Sequence, residues 1–272
     1  AGTEPSGSSA TLTSSFADVG FDSDGDFASF VKSLTQKNYS DVRAQMSVVF
    51  KETEPLCRVF LPDLYIGHKT AFVYEYSSNE LGRSFLYSDL VAWGDTYVKD
   101  LSVRTTVDTS DLLNVKVMAD MVKSGGMDVK SPVIDVDILS DTVWTFRGKL
   151  NESGFQLGNQ KWNLKSDLVS IRRKHIEIDS LVLFNSGHSI VVNGILGDGN
   201  TGGDSDGLED GDRMAVSLND IDMSLFESLF NNPVRLGGTF NGECSAVNYF
   251  GETGGFLADL RADTLSINGC PF

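Results

Sequence analysis

Near its end the chain reads Phe256-Leu257-Ala258-Asp259-Leu260-Arg261-Ala262-Asp263. Phe256, Ala258, Leu260 and Ala262 share one parity. Leu257, Asp259, Arg261 and Asp263 share the other. Successive side chains in a β-strand point to opposite faces, so this stretch predicts an antiparallel strand with one apolar and one wet face. The same rule recurs upstream. Leu113, Val115, Val117, Ala119 and Met121 alternate with Asn114, Lys116, Met118 and Asp120. Ile134, Val136 and Ile138 flank Asp135 and Asp137, and Ile176 and Ile178 flank Glu177 and Asp179. Met214, Val216 and Leu218 follow suit, as do Val234, Leu236 and Phe240 against Arg235, Gly237 and Thr239. Asn193-Gly194, Asn241-Gly242, Asn268-Gly269 and Gly125-Gly126 read as hairpin turns, because these residues tolerate positive φ. Such spacing predicts about 14 to 18 strands. The expected fold is mainly β: an elongated, curled antiparallel sheet, open as a groove, with two short helices.

Those helices are expected where the period changes. Asp26 to Leu34 places Phe27, Phe30, Val31 and Leu34 on a helical stripe, with Asp26 as an N-cap. Asp222 to Phe230 carries a similar stripe and stops before Asn231-Asn232-Pro233. Phe16-Ala17-Asp18-Val19 precedes the first and Leu218-Asn219-Asp220-Ile221 the second, which reads as a weak internal repeat. Residues 1–10 read as a linker and 11–272 as a repetitive sheet region, with a weak repeat boundary near 150. Within it, Gly197 to Arg213 reads as a long, polar, acidic loop with too few apolar side chains to pack. The last residues, Ile267-Asn268-Gly269-Cys270-Pro271-Phe272, stop inside what reads as a hairpin, so a piece of a longer protein is expected.

With 38 acidic residues against 22 basic ones, the net charge of −16 argues against a nucleic-acid partner. The densest basic run, Arg172-Arg173-Lys174, reads as a solvated turn. Hydrophobic residues make up 40 % and charged ones 22 %, a globular composition. No apolar run reaches the roughly 18 residues of a membrane-spanning helix. Cys57, Cys244 and Cys270 have neither zinc spacing nor an even count; a Cys244–Cys270 pair across a hairpin is left open.

Few residues suggest chemistry. Asp204, Asp206, Glu209, Asp210 and Asp212 offer the oxygens that a calcium ion takes, but the favoured reading is a solvated loop with no metal. Asp22, Asp24 and Asp26 fail the EF-hand pattern, which wants Gly where Phe27 stands and Glu where Ser33 stands. His68, His175 and His188 come with no nucleophile motif, and the glycine pairs lie outside any phosphate-binding context. The expectation is therefore no enzyme activity and no cofactor. What remains is the apolar face, which must be covered by a second layer or hold something apolar. Val115, Val117, Val136, Leu236, Phe240, Phe256 and Leu260 are the residues expected to line it.

Several phrases resemble the TamB-like proteins of the AsmA-like superfamily. They include Ile176 to Asn185, Ile190-Val191-Val192-Asn193-Gly194-Ile195-Leu196-Gly197 and Leu218 to Phe226. Leu236-Gly237-Gly238-Thr239-Phe240-Asn241-Gly242 and Ala258 to Gly269 belong with them. About half the chain carries the likeness, and the acidic loop reads as an insertion. The resemblance implies a periplasmic β-groove, tethered to the inner membrane of a Gram-negative cell by a helix elsewhere in the full-length protein. It implies phospholipid acyl chains as cargo, and a role in lipid transport or in outer-membrane assembly with a barrel protein as partner. It brings no active site. The rival readings are a structural module that pairs its edges with a partner by β-augmentation, and a surface glycan-binding or adhesin domain.

Overall fold

The computed structural model describes residues 7–25, 28, 43–77, 80–107, 112–140, 146–172, 175–197, 212–223, 235–249 and 254–271. The protein is mainly β, and the described strand pairs are antiparallel and join strands close in sequence. The chain divides into two compact units, residues 1–124 with 130–133 and residues 125–129 with 134–272.

The first unit holds β1 (Ser8–Thr13), β2 (Ala17–Ser23), β3 (Arg43–Phe50), α1 (Glu54–Phe60), β4 (Leu64–Ile66) and β5 (Thr70–Ser77). It continues with β6 (Glu80–Trp93), β7 (Thr96–Val107), β8 (Leu112–Met118) and β9 (Met121–Ser124). β1 begins inside the stretch expected to be linker, because Ala10 and Leu12 line up with Phe21 and Val19. The register builds one apolar row from Leu12 through Val19, Val48, Phe72, Leu86 and Val103 to Val117. The reverse face carries Asp22, Gln45, Glu75, Arg83 and Thr106 in a row.

The second unit contains β11 (Phe146–Leu157), β12 (Gln160–Arg172), β13 (His175–Phe184) and β14 (Ser189–Leu196). It ends with β15 (Arg213–Asp222), β16 (Leu236–Val247), β17 (Gly255–Ile267) and the two-residue β18 (Cys270–Pro271). β10 (Met127–Ser140) is divided between the units. β11 to β18 form a meander in which each strand pairs with the next.

Strict alternation does not run the length of these strands. Ile178-Asp179-Ser180-Leu181, Leu218-Asn219-Asp220-Ile221 and Ala262-Asp263-Thr264-Leu265 each place two polar residues between apolar ones. In a regular strand the second apolar residue would turn to the wet face. Instead each phrase forms a β-bulge: Ile178 lies opposite Gly194 and Leu181 opposite Val192, three residues against two. Leu218/Ile221 against Gly242/Phe240, and Thr239/Gly237 against Asp263/Ser266, repeat the count. The residue that absorbs the extra step takes a left-handed backbone, at φ 54° for Ser180, 50° for Asp220 and 53° for Thr264. Their hydrogen bonds include Ser180 Oγ–H to Asp179 Oδ1 at 2.8 Å and the Asp220 N–H to Asn241 Oδ1 at 2.8 Å.

Several expectations need correction. Asn193-Gly194 and Asn241-Gly242 are not turns: they lie inside β14 and β16, where the glycines hold φ 131° and 134°. The backbone freedom that suits a hairpin serves here to let a neighbouring strand's carbonyl approach, so the pair marks a strand interior. Asn268-Gly269 and Gly125-Gly126 do turn the chain. Of the helix expected over 222–230, Asp222 instead ends β15 and Met223 lies in a turn, and the rest is outside the described residues; of the one expected over 26–34 only Ala28 is described, and it is helical. The described helix α1 was not expected; its signals are Thr53 at the N-cap, Pro55 in the first turn, and Glu54 and Arg58 paired across one turn. The phrases around Asp18 and Asp220 also differ, since Asp18 pairs regularly with Val49 and Thr13 while Asp220 bulges. Cys244 and Cys270 are both free, because Cys244 faces Ala258 and Cys270 faces Ile267.

Candidate functional site

The bulges keep one face of the second unit apolar across β12 to β17. Leu164, Leu183, Ile190, Leu218, Gly242 and Leu260 form one cross-strand row. Leu181, Val192, Val216, Cys244 and Ala258 form the next. Val169, Ile178, Gly194, Met214, Ala246 and Phe256 form a third, and Ile171, Ile176 and Leu196 begin a fourth. Paired in regular alternation, the same sequence would turn the apolar residues beyond Ser180 and its counterparts to the other face.

The two ends of this face differ. At one end Leu157, Trp162 and Ile221 are buried in a single cluster with Phe155, Leu183, Ile190, Leu218 and Phe240 around them. Trp162 stands on β12 and Ile221 on β15, with two strands between them. Leu183 on β13 and Ile190 on β14 bridge the distance between them. Trp162 is 2 % exposed, and its indole N–H meets no acceptor among the described residues. The far end and the β17 side stay open: Ile171 is 44 %, Leu260 45 % and Phe256 77 % exposed. The face is a trough, closed at the tryptophan and open toward β17.

Two buried serines of the unit are satisfied locally. Ser166 Oγ–H donates to the Asp179 carbonyl at 3.2 Å, and Ser153 Oγ accepts the Asp135 N–H at 2.9 Å. The opposite face is mixed: Lys165, Ser217, Glu243 and Asp259 share a cross-strand row with Val182 and Val191, and Arg261 faces Asn241.

Of the residues expected to line the groove, Phe240 packs at the closed end, and Phe256 and Leu260 lie at the open side. Leu236 is paired with Ile267, and its side chain lies outside what is described. Val136, on β10, belongs to the second unit. Val115 and Val117 belong to the first, where they face Thr105 and Val103. Sequence reasoning missed Trp162, Leu183, Ile190 and Ile221 as lining residues; the run Ile190-Val191-Val192 hides the parity of Ile190, whereas that of Leu218 was legible.

The other candidates gather no chemistry. Asp204, Asp206, Glu209 and Asp210 lie outside the described residues. Asp212 spends Oδ1 on the Gly197 N–H at 2.8 Å. Asp24 accepts the Arg43 N–H at 2.7 Å, and Asp26 is outside the described residues. The described residues contain no cluster of three or more metal-ligating side chains. The ring Nδ1–H of His68 donates to the Lys51 carbonyl at 3.1 Å, and that of His188 donates to the Asp220 carbonyl. In the first unit a recess of about 560 Å³ lies over Gln45, Glu75, Arg83, Phe85 and Arg104, with the Arg104 guanidinium 5.5 Å above the Phe85 ring.

In comparison with known proteins, no family model matched the chain, and neither did any curated protein or solved structure. No helix among the described residues is long and apolar enough to cross a membrane.

Proposed function

We propose that the chain is an acyl-chain-holding β-sheet segment of an AsmA-like, TamB-like envelope protein that handles phospholipid in the periplasm. The observation that carries this reading is the trough of the second unit: aligned apolar rows on one face, closed at Trp162 and left half-exposed toward β17. Each CH₂ moved out of water contributes about 0.8 kcal/mol, so an extended acyl chain lying along the rows gains affinity without a specific polar contact. The headgroup stays in water at the open side.

The chain contains three tryptophans, Trp93, Trp144 and Trp162. With Trp93 and Trp144 replaced by Phe, fluorescence reports Trp162 alone. Phosphatidylcholine carrying bromine on its acyl chains is expected to quench that signal, and native mass spectrometry of the purified chain is expected to find bound phospholipid. Absence of both quenching and bound lipid would discard the acyl-chain reading.

A further inference from the structure

We propose that the recess on the reverse face of the first unit binds a phosphate monoester, gripped by Arg104 over Phe85. The site is separate from the trough and does not require it. Phe85 on β6 lies directly across from Arg104 on β7, and Arg104 directly across from Lys116 on β8. In the other direction the row runs through Val73 and Ser47 to Gly20. It therefore holds two adjacent cations and no carboxylate, in a chain with 38 acidic residues against 22 basic ones. Like charges directly opposite each other on a sheet are destabilising. An anion bound beside them reverses the sign of that term.

The guanidinium is placed for such a ligand. Its carbon lies 5.5 Å from the centre of the Phe85 ring, a stack that orients its plane and leaves its N–H edge to an oxyanion. Among the described residues Arg104 has no carboxylate partner. Arg83 brings a second guanidinium to the recess, and Glu75, directly across from it, offsets its charge. The excess positive charge therefore sits at Arg104 and Lys116. Gln45 and Thr106 add uncharged donors, and Val73 with Phe85 gives an apolar wall for the organic part of an ester. The volume of about 560 Å³ lies within the roughly 300–1,000 Å³ of small-ligand sites. A phosphate monoester brings three acceptor oxygens and a charge of about −1.5 to −2. A carboxylate brings fewer oxygens and a smaller charge, so it gains less from the same donors.

Titration of the 272-residue chain with glycerol 3-phosphate at low salt, followed by phosphorus NMR, is expected to show saturable binding. Arg104→Gln should weaken it at least about tenfold, and Arg104→Lys, which keeps the charge but not the fork, should recover only part of the loss. Phe85→Leu, which removes the ring face, should weaken it about twofold to fivefold. Circular dichroism checks that each variant is folded. A parallel titration with dihexanoyl phosphatidic acid, below its micelle concentration, separates the sources of the phosphoryl group. Tighter binding that also falls in Arg104→Gln assigns it to a lipid; affinity equal to that of glycerol 3-phosphate assigns it to a soluble ester. Absence of saturable binding would overturn the proposal. So would an affinity unchanged in Arg104→Gln, or lowered as much by Arg261→Gln in the second unit, because binding would then follow the overall charge and not the recess.

Discussion

Gly242 lies in the middle of β16 at φ 134°, and a Cβ built there would run into the carbonyl oxygen of Asp259 on the next strand. Gly194 repeats the arrangement at φ 131° against the carbonyl of Arg213. Neither the backbone angle nor the space admits a side chain, so Gly242→Ala is expected to cost about 2 kcal/mol or more in urea unfolding. Gly187, where a Cβ would meet nothing within 4 Å, supplies the control, and Gly187→Ala should stay within about 0.5 kcal/mol of wild type. Tyr74 makes a different kind of residue-level prediction. Burial, and secondarily the charge of Tyr76, raises its pKa above the ordinary value of 10.0. A group whose folded pKa is raised contributes stability that is full below the unfolded value and is lost as pH climbs through the folded one. Unfolding free energy should therefore begin to fall above about pH 10, and Tyr74→Phe should flatten that decline. An alkaline slope identical in the two proteins would reject this assignment.

At the scale of the element, the bulges decide which face a strand presents. Thr264 occupies the left-handed region at φ 53° although it is β-branched, a conformation that disfavours such residues by about 1–2 kcal/mol. Asn tolerates it far better, so Thr264→Asn is expected to raise the unfolding free energy by about 0.5–1 kcal/mol in urea titration. Shifting the register is a harsher change than altering the bulge residue. Deletion of Val182, inside the regular pairing of β13 with β14, would set Leu181 and Leu183 on opposite faces; loss of the cooperative unfolding transition is the expected result, while Ser180→Gly should unfold normally. This is also where the sequence stops being transparent. Alternation such as Phe256 to Asp263 reads directly as a strand, because period two has one physical meaning. Asn-Gly does not, because positive φ serves a hairpin at Asn268-Gly269 and a strand interior at Asn241-Gly242 equally well. The apolar–polar–polar–apolar phrases look like breaks in a pattern until the register shows that they preserve it. α1 is too short for a helical stripe to stand out from its seven residues.

At the scale of the whole molecule, the chain combines an apolar trough with a net charge of −16. Parity revealed that such a face exists and that Phe240, Phe256 and Leu260 are on it. Parity could not reveal which strands share one trough, and Val115 and Val117 turned out to lie in the other unit. The combination has a consequence for how lipid is reached. Electrostatic repulsion keeps an acidic protein from an anionic bilayer, whereas insertion of acyl chains depends on apolar area alone. The screening length is about 10 Å at 0.1 M salt and about 3 Å at 1 M. Quenching of Trp162 by brominated phosphatidylcholine vesicles should therefore change little with salt. Vesicles that also contain phosphatidylglycerol should quench weakly at low salt and approach the first level as salt rises. Val216→Asp, which sets a carboxylate between Val192 and Cys244 in the trough, should lower quenching by both vesicle types at every salt concentration. Charging a desolvated surface is a local cost that salt does not remove, whereas long-range repulsion is. If Val216→Asp instead lost binding only to the anionic vesicles, the protein would be meeting lipid through its surface field rather than through the trough.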